Sequence, residues 1–253
     1  MVVDTHAHVY KQYYLDINEI INNAKEKDVH KILNCGESLH SSKEVISLYK
    51  KYSDIFLCAV GIHPEHANEV NNDSIKKIEL LLKKEGVVAI GEIGLEYHYN
   101  SDNKLIQKKL FVNQLDLAQK YNLPVIIHSR EATEDMLKIL KKYKLKGIIH
   151  CFSGSYEIAK EYIKMGYLLG IGGVVTFKNS KLIDTIKRIG PANIVFETDW
   201  PFLTPEPFRK YKNEPKYVVE TIKFVSENLK IKYNDLILIN NKNFNSTFNK
   251  SNL

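Results

Sequence analysis

Short apolar runs rich in β-branched residues alternate along this chain with longer stretches of helical period. Apolar residues that recur every three or four positions, as at Ile17, Ile20, Ile21 and Ala24, mark one face of a helix. The short runs are predicted strands, at residues 1–4, 31–34, 56–61, 87–91, 124–128, 147–150, 167–171 and 194–197. Eight strands, each followed by a helix, predict a parallel sheet closed as a (β/α)8 TIM barrel of the α/β class.

The rest of the pattern gives no reason to divide the chain. Further helical stretches are predicted at 75–82, 110–118, 136–140, about 216–229 and, as a short helix, near 234–248. No segment rich in Pro, Gly and Ser separates these elements, so we expect a single domain over residues 1–253. The longest irregular piece, 201–215, contains four prolines and follows the eighth strand. We expect it to lie over the mouth of the barrel as an active-site loop.

Composition narrows the class of protein without identifying it. The 253 residues are 44% hydrophobic, and 36 basic against 30 acidic residues give a formal net charge of +6. This mild excess fits an anionic partner such as nucleic acid but does not require one. The three cysteines have no CxxC spacing, and no apolar run approaches the roughly 18 residues of a membrane span. We therefore expect a cytoplasmic protein outside the membrane.

Polar side chains follow the predicted strands at their carboxyl ends, where TIM barrels keep their active sites. His6 and His8 follow the first strand two positions apart, so both imidazoles face the same side. Neutral imidazole is a common ligand of transition metals. Later strand ends contribute His63, Glu92, His128, Arg130, His150, Ser153, Glu197 and Asp199. Four of these histidines and two of the carboxylates would converge: His6, His8, His128, His150, Glu92 and Asp199. Their convergence predicts a site for more than one metal ion, and hence a hydrolase.

Each histidine also has a structural interpretation. A single histidine at a strand end is more often a hydrogen-bonded structural group than a metal ligand. We expect such an ordinary role for His30, His40, His66 and His98. The same role at all four converging positions would need several independent coincidences. Metal binding is therefore favoured for His6, His8, His128 and His150.

The remaining positions have weaker support. Glu92 has the alternative of belonging to a buried ion pair. It lies between glycines in an apolar run, where an unpaired carboxylate is costly to bury, and metal ligation would supply its partner. Asp199 has the alternative of capping a turn, but its position after the eighth strand favours ligation. His63 either contacts substrate or holds its loop. Gly172 and Gly173 either admit a phosphate close to the backbone or form a plain turn.

These motifs resemble those of the TatD family of metal-dependent deoxyribonucleases, in the amidohydrolase-like barrel superfamily. The resemblance runs in order through nearly the whole chain. It rests on Asp4-Thr5-His6-Ala7-His8, Gly61-Ile62-His63-Pro64, Gly91-Glu92-Ile93-Gly94-Leu95, Ile127-His128-Ser129-Arg130, His150-Cys151-Phe152-Ser153-Gly154, Glu197-Thr198-Asp199-Trp200-Pro201-Phe202-Leu203 and Asn213-Glu214-Pro215. Two positions depart from it: Glu96 stands where the family usually has Asp, and Lys210-Tyr211-Lys212 where it usually has Gly-Lys-Arg.

The resemblance implies two divalent ions, drawn from zinc, magnesium, manganese and iron. Glu92 would bridge them and set their spacing, and Asp199 would orient a water and accept its proton, so both would be catalytic. The ligands of one ion would be His6, His8, Glu92 and Asp199. Those of the other would be Glu92, His128 and His150.

The resemblance also implies an activity and a partner. The reaction would be cleavage of DNA phosphodiester bonds by a 3′–5′ exodeoxyribonuclease acting on single strands or 3′ ends, in DNA repair or degradation. The enzyme would be a monomer with no obligatory protein partner. His63, Ser153 and Arg130 would contact the substrate. Four aromatic residues lie in the eighth loop, the segment 198–215 that follows the eighth strand: Trp200, Phe202, Phe208 and Tyr211. They would either stack on an unpaired base or only pack the loop.

Two other interpretations use the same residues. A different hydrolase of the superfamily, of lactonase, phosphotriesterase or D-aminoacyl-tRNA deacylase type, would also bind metal. Enzymes of phosphotriesterase type often bridge their metals with a carboxylated lysine after strand four, where this chain has Glu92, and this difference favours the nuclease. A non-catalytic nucleic-acid-binding or scaffold protein would need no complete set of ligands, whereas this chain has every expected one.

Overall fold

Eight parallel strands follow one another around a single sheet in chain order. The computed structural model describes residues 1–99 and 101–248. The strands are β1 Val2–Ala7, β2 Val29–Cys35, β3 Phe56–Val60, β4 Val87–Glu96, β5 Val125–Arg130, β6 Gly147–Ile149, β7 Tyr167–Ile171 and β8 Ile194–Phe196. The chain after β8 meets β1, because the N–H of Asp199 donates to the carbonyl of His6 at 3.0 Å. The predicted (β/α)8 TIM barrel is confirmed.

Helices surround the sheet. In the described part of the chain they are α1 Ile17–Glu26, α2 Leu39–Lys51, α3 Asn72–Leu81, α4 Lys104–Tyr121, α5 Thr133–Leu140, α6 Tyr156–Lys164, α7 Leu182–Ile189, α8 Val218–Leu229 and α9 Tyr233–Phe248. The last helix predicted near 234–248 is confirmed as α9, although with 16 residues it is not short. Its length reflects buried residues along the whole helix, from Leu236 to Phe248. No helix among the described residues combines the length and apolarity needed to cross a membrane.

Side chains of the strands alternate between the inside and the outside of the barrel. Ile126, Ile148 and Val195 belong to a small interior cluster, together with Phe244 and Phe248 from α9. Their neighbours on the same strands belong to the larger cluster that contains the helices. Two positions after each of the three interior strand residues come His128, His150 and Glu197. The alternation that fills the barrel therefore also brings these polar side chains to its mouth.

Strand β4 is longer than predicted. The predicted strand ended at residue 91, whereas β4 continues through Glu96, so Glu92 lies inside the strand and not after it. The register between β4 and β5 shifts between Ile90 and Ile93. Gly94 has a φ of +151°, and a Cβ there would collide with the carbonyl oxygen of His128. Glycine is thus what allows β4 to pass close to β5 beside the site.

Helix α9 ties the first strand to the last. The Asn240 side chain accepts the N–H of Phe196 in β8 at 2.9 Å and donates to the carbonyl of Val3 in β1 at 3.2 Å. Asn243 donates to the carbonyl of Ile194 at 2.8 Å. These amides satisfy backbone groups at the junction of β1 and β8 that a flat sheet would leave at its edges.

Candidate metal centre

The first group of donor atoms lies at the junction of β1 and β8. The Nε2 atoms of His6 and His8 are 3.1 Å apart, and each is 3.3 Å from Oε2 of Glu92. Oδ1 of Asp199 lies 3.7 Å from Nε2 of His6 and 3.6 Å from Nε2 of His8. Four side chains from three parts of the barrel thus face one point.

The second group surrounds the other carboxylate oxygen of Glu92. Oε1 lies 3.0 Å from Nδ1 of His128 and 3.7 Å from Nε2 of His150. Nε2 of His63 is also 3.7 Å from Oε1. Nε2 of His150 lies 3.6 Å from Oδ1 of Asp199, so the two groups adjoin. Glu92 therefore presents one oxygen to each group, and we call the two groups together the metal centre.

The donor set fits divalent cations. Ligand atoms at about 2.0–2.1 Å from a tetrahedral ion stand about 3.3 Å apart, and the donor pairs described above are separated by 3.0 to 3.7 Å. Nδ1 of His6 is buried without a hydrogen-bond partner in the described part of the chain. Imidazole and carboxylate donors together suit zinc, iron or manganese. These residues could hold a metal in either group.

The carboxylates and imidazoles of the centre shift one another's pKa values. Burial alone would raise the pKa of Glu92 and of Asp199, but the nearby charges of His150 and His6 hold the pKa of both carboxyl groups below the ordinary range. Burial would lower the pKa of His150, but Glu197, Glu92 and Asp199 raise it to about 10. A bound cation can take the place of the proton that His150 carries.

Two of the donor histidines are held from behind by neighbouring groups. Nδ1 of His8 lies 2.8 Å from the hydroxyl of Tyr10 and 3.1 Å from the carbonyl oxygen of Cys35. Nε2 of His128 lies 3.0 Å from Oε2 of Glu96. Sequence reasoning missed Tyr10 and noted Glu96 only as a departure from the family pattern. Contacts of this kind orient the imidazole that a metal would bind.

Glu197 supports His150 in the same way. Its side chain is fully buried, and Oε1 lies 2.9 Å from Nδ1 of His150 and accepts the N–H of Cys151 at 2.6 Å. Gly170 in β7 leaves room for it, because a Cβ there would collide with Oε2 of Glu197. The sequence analysis gave Glu197 no role. Its position two residues before Asp199 was the available signal, since both then face the same side.

We expect Glu197→Gln to weaken metal binding about 10- to 100-fold, because the amide lacks the charge that stabilises and orients His150. Isothermal titration of metal-free protein with Mn²⁺ or Zn²⁺ measures the effect. The matched control is Glu69→Gln, which removes an exposed carboxylate 3.2 Å from Nδ1 of His66 and should leave the affinity unchanged. Wild-type affinity in Glu197→Gln would contradict the supporting role.

A cavity of about 530 Å³ opens above the metal centre, and His63 and Arg130 line it. Ser153 lies instead in a neighbouring cavity of about 690 Å³ between the starts of α6 and α7. The glycine pair after β7 leads into a short 3₁₀ turn, Gly173–Thr176. Five histidines of the described residues do not line the 530 Å³ cavity: His30, His40, His66 and His98, for which an ordinary role is expected, and the fully buried His6.

The aromatic residues of the eighth loop are placed differently from one another. Phe202 lines the cavity above the metal centre. Trp200 is fully buried, and Phe208 packs against a neighbouring tyrosine with ring centroids 5.0 Å apart. A stacking role for Trp200 is therefore wrong. Tyr13 and Tyr99, which the sequence analysis did not single out, line the cavity with Phe202.

Comparison with known proteins identifies the family. The family model described as TatD related DNase matches residues 3–249. The chain belongs to the TatD family. It is similar to the uncharacterized metal-dependent hydrolase YabD of Bacillus subtilis, at 40% identity over 98% of this chain and 99% of that protein. A second TatD relative is the uncharacterized metal-dependent hydrolase MG009 of Mycoplasma genitalium, at 35% identity over 97% of this chain and 98% of that protein.

A solved TatD structure agrees with these relatives. The TatD homologue YJJV from Escherichia coli K12 superposes with a TM-score of 0.93 at 27% identity, covering 98% of each chain. The resemblance to the TatD family that the motifs indicated is confirmed. This TatD protein is therefore a metal-dependent hydrolase with a TIM-barrel fold.

Proposed function

We propose that this TatD protein hydrolyses phosphodiester bonds of DNA with two bound divalent ions and releases nucleotides from 3′ ends. Glu92 carries the proposal, because its Oε2 lies 3.3 Å from two imidazoles and its Oε1 lies 3.0 Å from a third. One carboxylate between two groups of donors suits a pair of ions about 3.5–4 Å apart, which can bind both sides of a phosphodiester. The description of the family as DNases supports DNA as the substrate.

Divalent ions bound there would supply Lewis acidity to the phosphate and lower the pKa of a water. Asp199 would orient the attacking water and accept its proton. Although burial opposes it, the charge of His150 and a hydrogen bond with His8 lower the pKa of Asp199, so this carboxylate is ionised and able to accept a proton at neutral pH. Asp199 would thus act as a base beside the reacting phosphate.

His63 would steady the phosphate. Burial and the nearby charge of His128 hold the pKa of His63 well below its usual range. The neutral ring therefore has an N–H that can donate to a phosphate oxygen. Arg130, on the rim of the same cavity, would contact the strand beside the cleaved bond, and Ser153 in the neighbouring cavity would contact it further away.

Purified protein, stripped of metal and reloaded with Mn²⁺, Mg²⁺, Zn²⁺ or Fe²⁺, is expected to shorten a 5′-labelled single-stranded oligodeoxynucleotide stepwise from its 3′ end. Chelator-treated protein should leave the oligonucleotide intact. The same preparations are assayed on a lactone, an aryl phosphotriester and D-aminoacyl-tRNA. A higher kcat/KM on one of these than on DNA would contradict the proposal and assign the protein to another branch of the superfamily.

A further inference from the structure

Two exposed aromatic rings stand at the rim of the cavity above the metal centre. Tyr99 is 64% exposed and Phe202 is 50% exposed, and both line this cavity. An exposed aromatic ring that stacks on a partner removes a large apolar surface from water. The rings therefore offer two flat apolar surfaces directly beside the reacting groups.

The two residues follow strands on opposite sides of the barrel. Tyr99 follows β4 and Phe202 follows β8, and the eight strands run around the barrel in chain order. Strands four positions apart in a closed eight-stranded barrel face each other across its axis. A chain-like ligand that touches both rings must therefore cross the mouth of the barrel over the donors of the centre.

Hydrogen bonds connect the backbone of both residues to the metal centre. The N–H of Phe202 donates to the carbonyl of Asp199 at 2.8 Å. The N–H of Tyr99 donates to Oε1 of Glu96 at 3.2 Å, and the other oxygen of Glu96 contacts His128. The backbone that carries each ring is therefore tied to a donor residue of the centre.

A cationic side chain accompanies each ring. The guanidinium carbon of Arg130 lies 4.7 Å from the centre of the Tyr99 ring. On the other side, Nζ of Lys212 lies 5.5 Å from the centre of the Tyr13 ring, which packs edge-on against Phe202 at 6.2 Å. Each side of the cavity therefore combines an aromatic face with a positive charge. A nucleotide presents the complementary pair, a flat base and an anionic phosphate.

We propose that these two aromatic platforms, Tyr99 on one side and Phe202 with Tyr13 on the other, stack on the two unpaired bases that flank the cleaved bond of a nucleic-acid strand. The inference rests on the proposed function and names the residues that receive the bases of its substrate. At a 3′ end, the terminal base takes one platform and the preceding base takes the other. Both bases are unpaired in this arrangement, as in the single strands or 3′ ends that the resemblance to the family implies.

Coupling between each ring and one base tests the platforms. The probes are a 5′-labelled single-stranded oligodeoxynucleotide and two versions with a tetrahydrofuran abasic residue, at the terminal or at the preceding position. On intact DNA we expect Tyr99→Ala and Phe202→Ala each to raise KM about tenfold or more. On the oligonucleotide that lacks the base stacked on the deleted ring, the same variant should cause no further rise in KM.

Matched variants separate stacking from other effects. Tyr99→Trp and Phe202→Trp keep a platform and should keep the wild-type KM. Tyr211→Ala removes a ring that is 52% exposed but is not part of the cavity lining, and it should leave KM unchanged. Calorimetric titration with Mn²⁺ should give the same affinity for every variant, since none of the changed residues is a donor of the centre.

The outcomes distinguish this proposal from the function on which it rests. If each alanine variant raises KM equally on intact and on abasic DNA, the platforms are overturned but the nuclease activity is not. Wild-type kcat/KM values that do not differ between intact and abasic strands would also overturn the platforms. If the metal-loaded wild type cleaves no oligonucleotide at all, both the proposed function and the proposed stacking role of the rings are wrong.

Discussion

Replacing Glu92 with glutamine is expected to lower kcat/KM by at least about a thousandfold, because the substitution removes the charge shared by both donor groups. Glu92 is buried, and each of its oxygens faces imidazoles at 3.0–3.3 Å. Glutamine keeps the shape of the side chain but offers only one oxygen and no negative charge. The variant should therefore fold normally and fail to retain a full complement of metal.

Three measurements on Glu92→Gln check this expectation: metal content after dialysis, steady-state kinetics on single-stranded DNA, and the thermal unfolding midpoint. Glu65→Gln is the matched control for metal content, since Glu65 lines the same cavity and its carboxylate lies 3.8 Å from Nδ1 of His63. A Glu92→Gln protein with wild-type metal content and turnover would show that the carboxylate is not the bridge.

Asp199→Asn is expected to lower kcat about 10²- to 10⁴-fold, the usual contribution of a general base, with a much smaller change in KM. Asparagine is the appropriate replacement because Asp199 has a φ of +57°, a backbone conformation that asparagine tolerates and most residues do not. An alanine variant would combine the loss of the base with backbone strain. The asparagine variant avoids that strain, and its metal content after dialysis separates the loss of a base from the loss of a metal ligand.

The kinetic pattern of Asp199→Asn is diagnostic. A fall in kcat with nearly constant KM indicates a group that acts in the reaction, whereas a rise in KM alone would indicate a group that only binds substrate. Asp116→Asn controls for the loss of a carboxylate, since Asp116 accepts a surface hydrogen bond from Tyr143 at 2.8 Å. Wild-type kcat in Asp199→Asn would rule out its role as the base.

Most of the fold and the donor positions could be predicted because both follow from local rules. A period of two sets which strand residues face the barrel interior, and parallel strands in a barrel end at a common face. His128 and His150 follow interior residues by two positions, so their convergence needed no further information. The bounds of β4 could not be predicted in this way, because the register shift near Glu92 depends on its pairing with β5.

The supporting groups and the aromatic platforms could not be predicted, for a different reason. Tyr10 and Glu197 contact their histidines through distances set by tertiary packing, and no spacing along the chain encodes those distances. Tyr99 and Phe202 line the same cavity although they follow β4 and β8, which are opposite in the closed sheet. Exposed aromatic residues in loops carry no periodic signal, and sequence reasoning accordingly gave Trp200, which is buried, the same standing as Phe202.

The junction of β1 and β8 also bears on how the protein is made. His6 and His8 leave the ribosome long before Asp199, and Asn240, which bridges the two strands, emerges later still. Until Asp199 and α9 have emerged, the edge of β1 stays open and its histidines lack their last carboxylate partner. We therefore expect the complete set of donor side chains to assemble only after α9 has been translated.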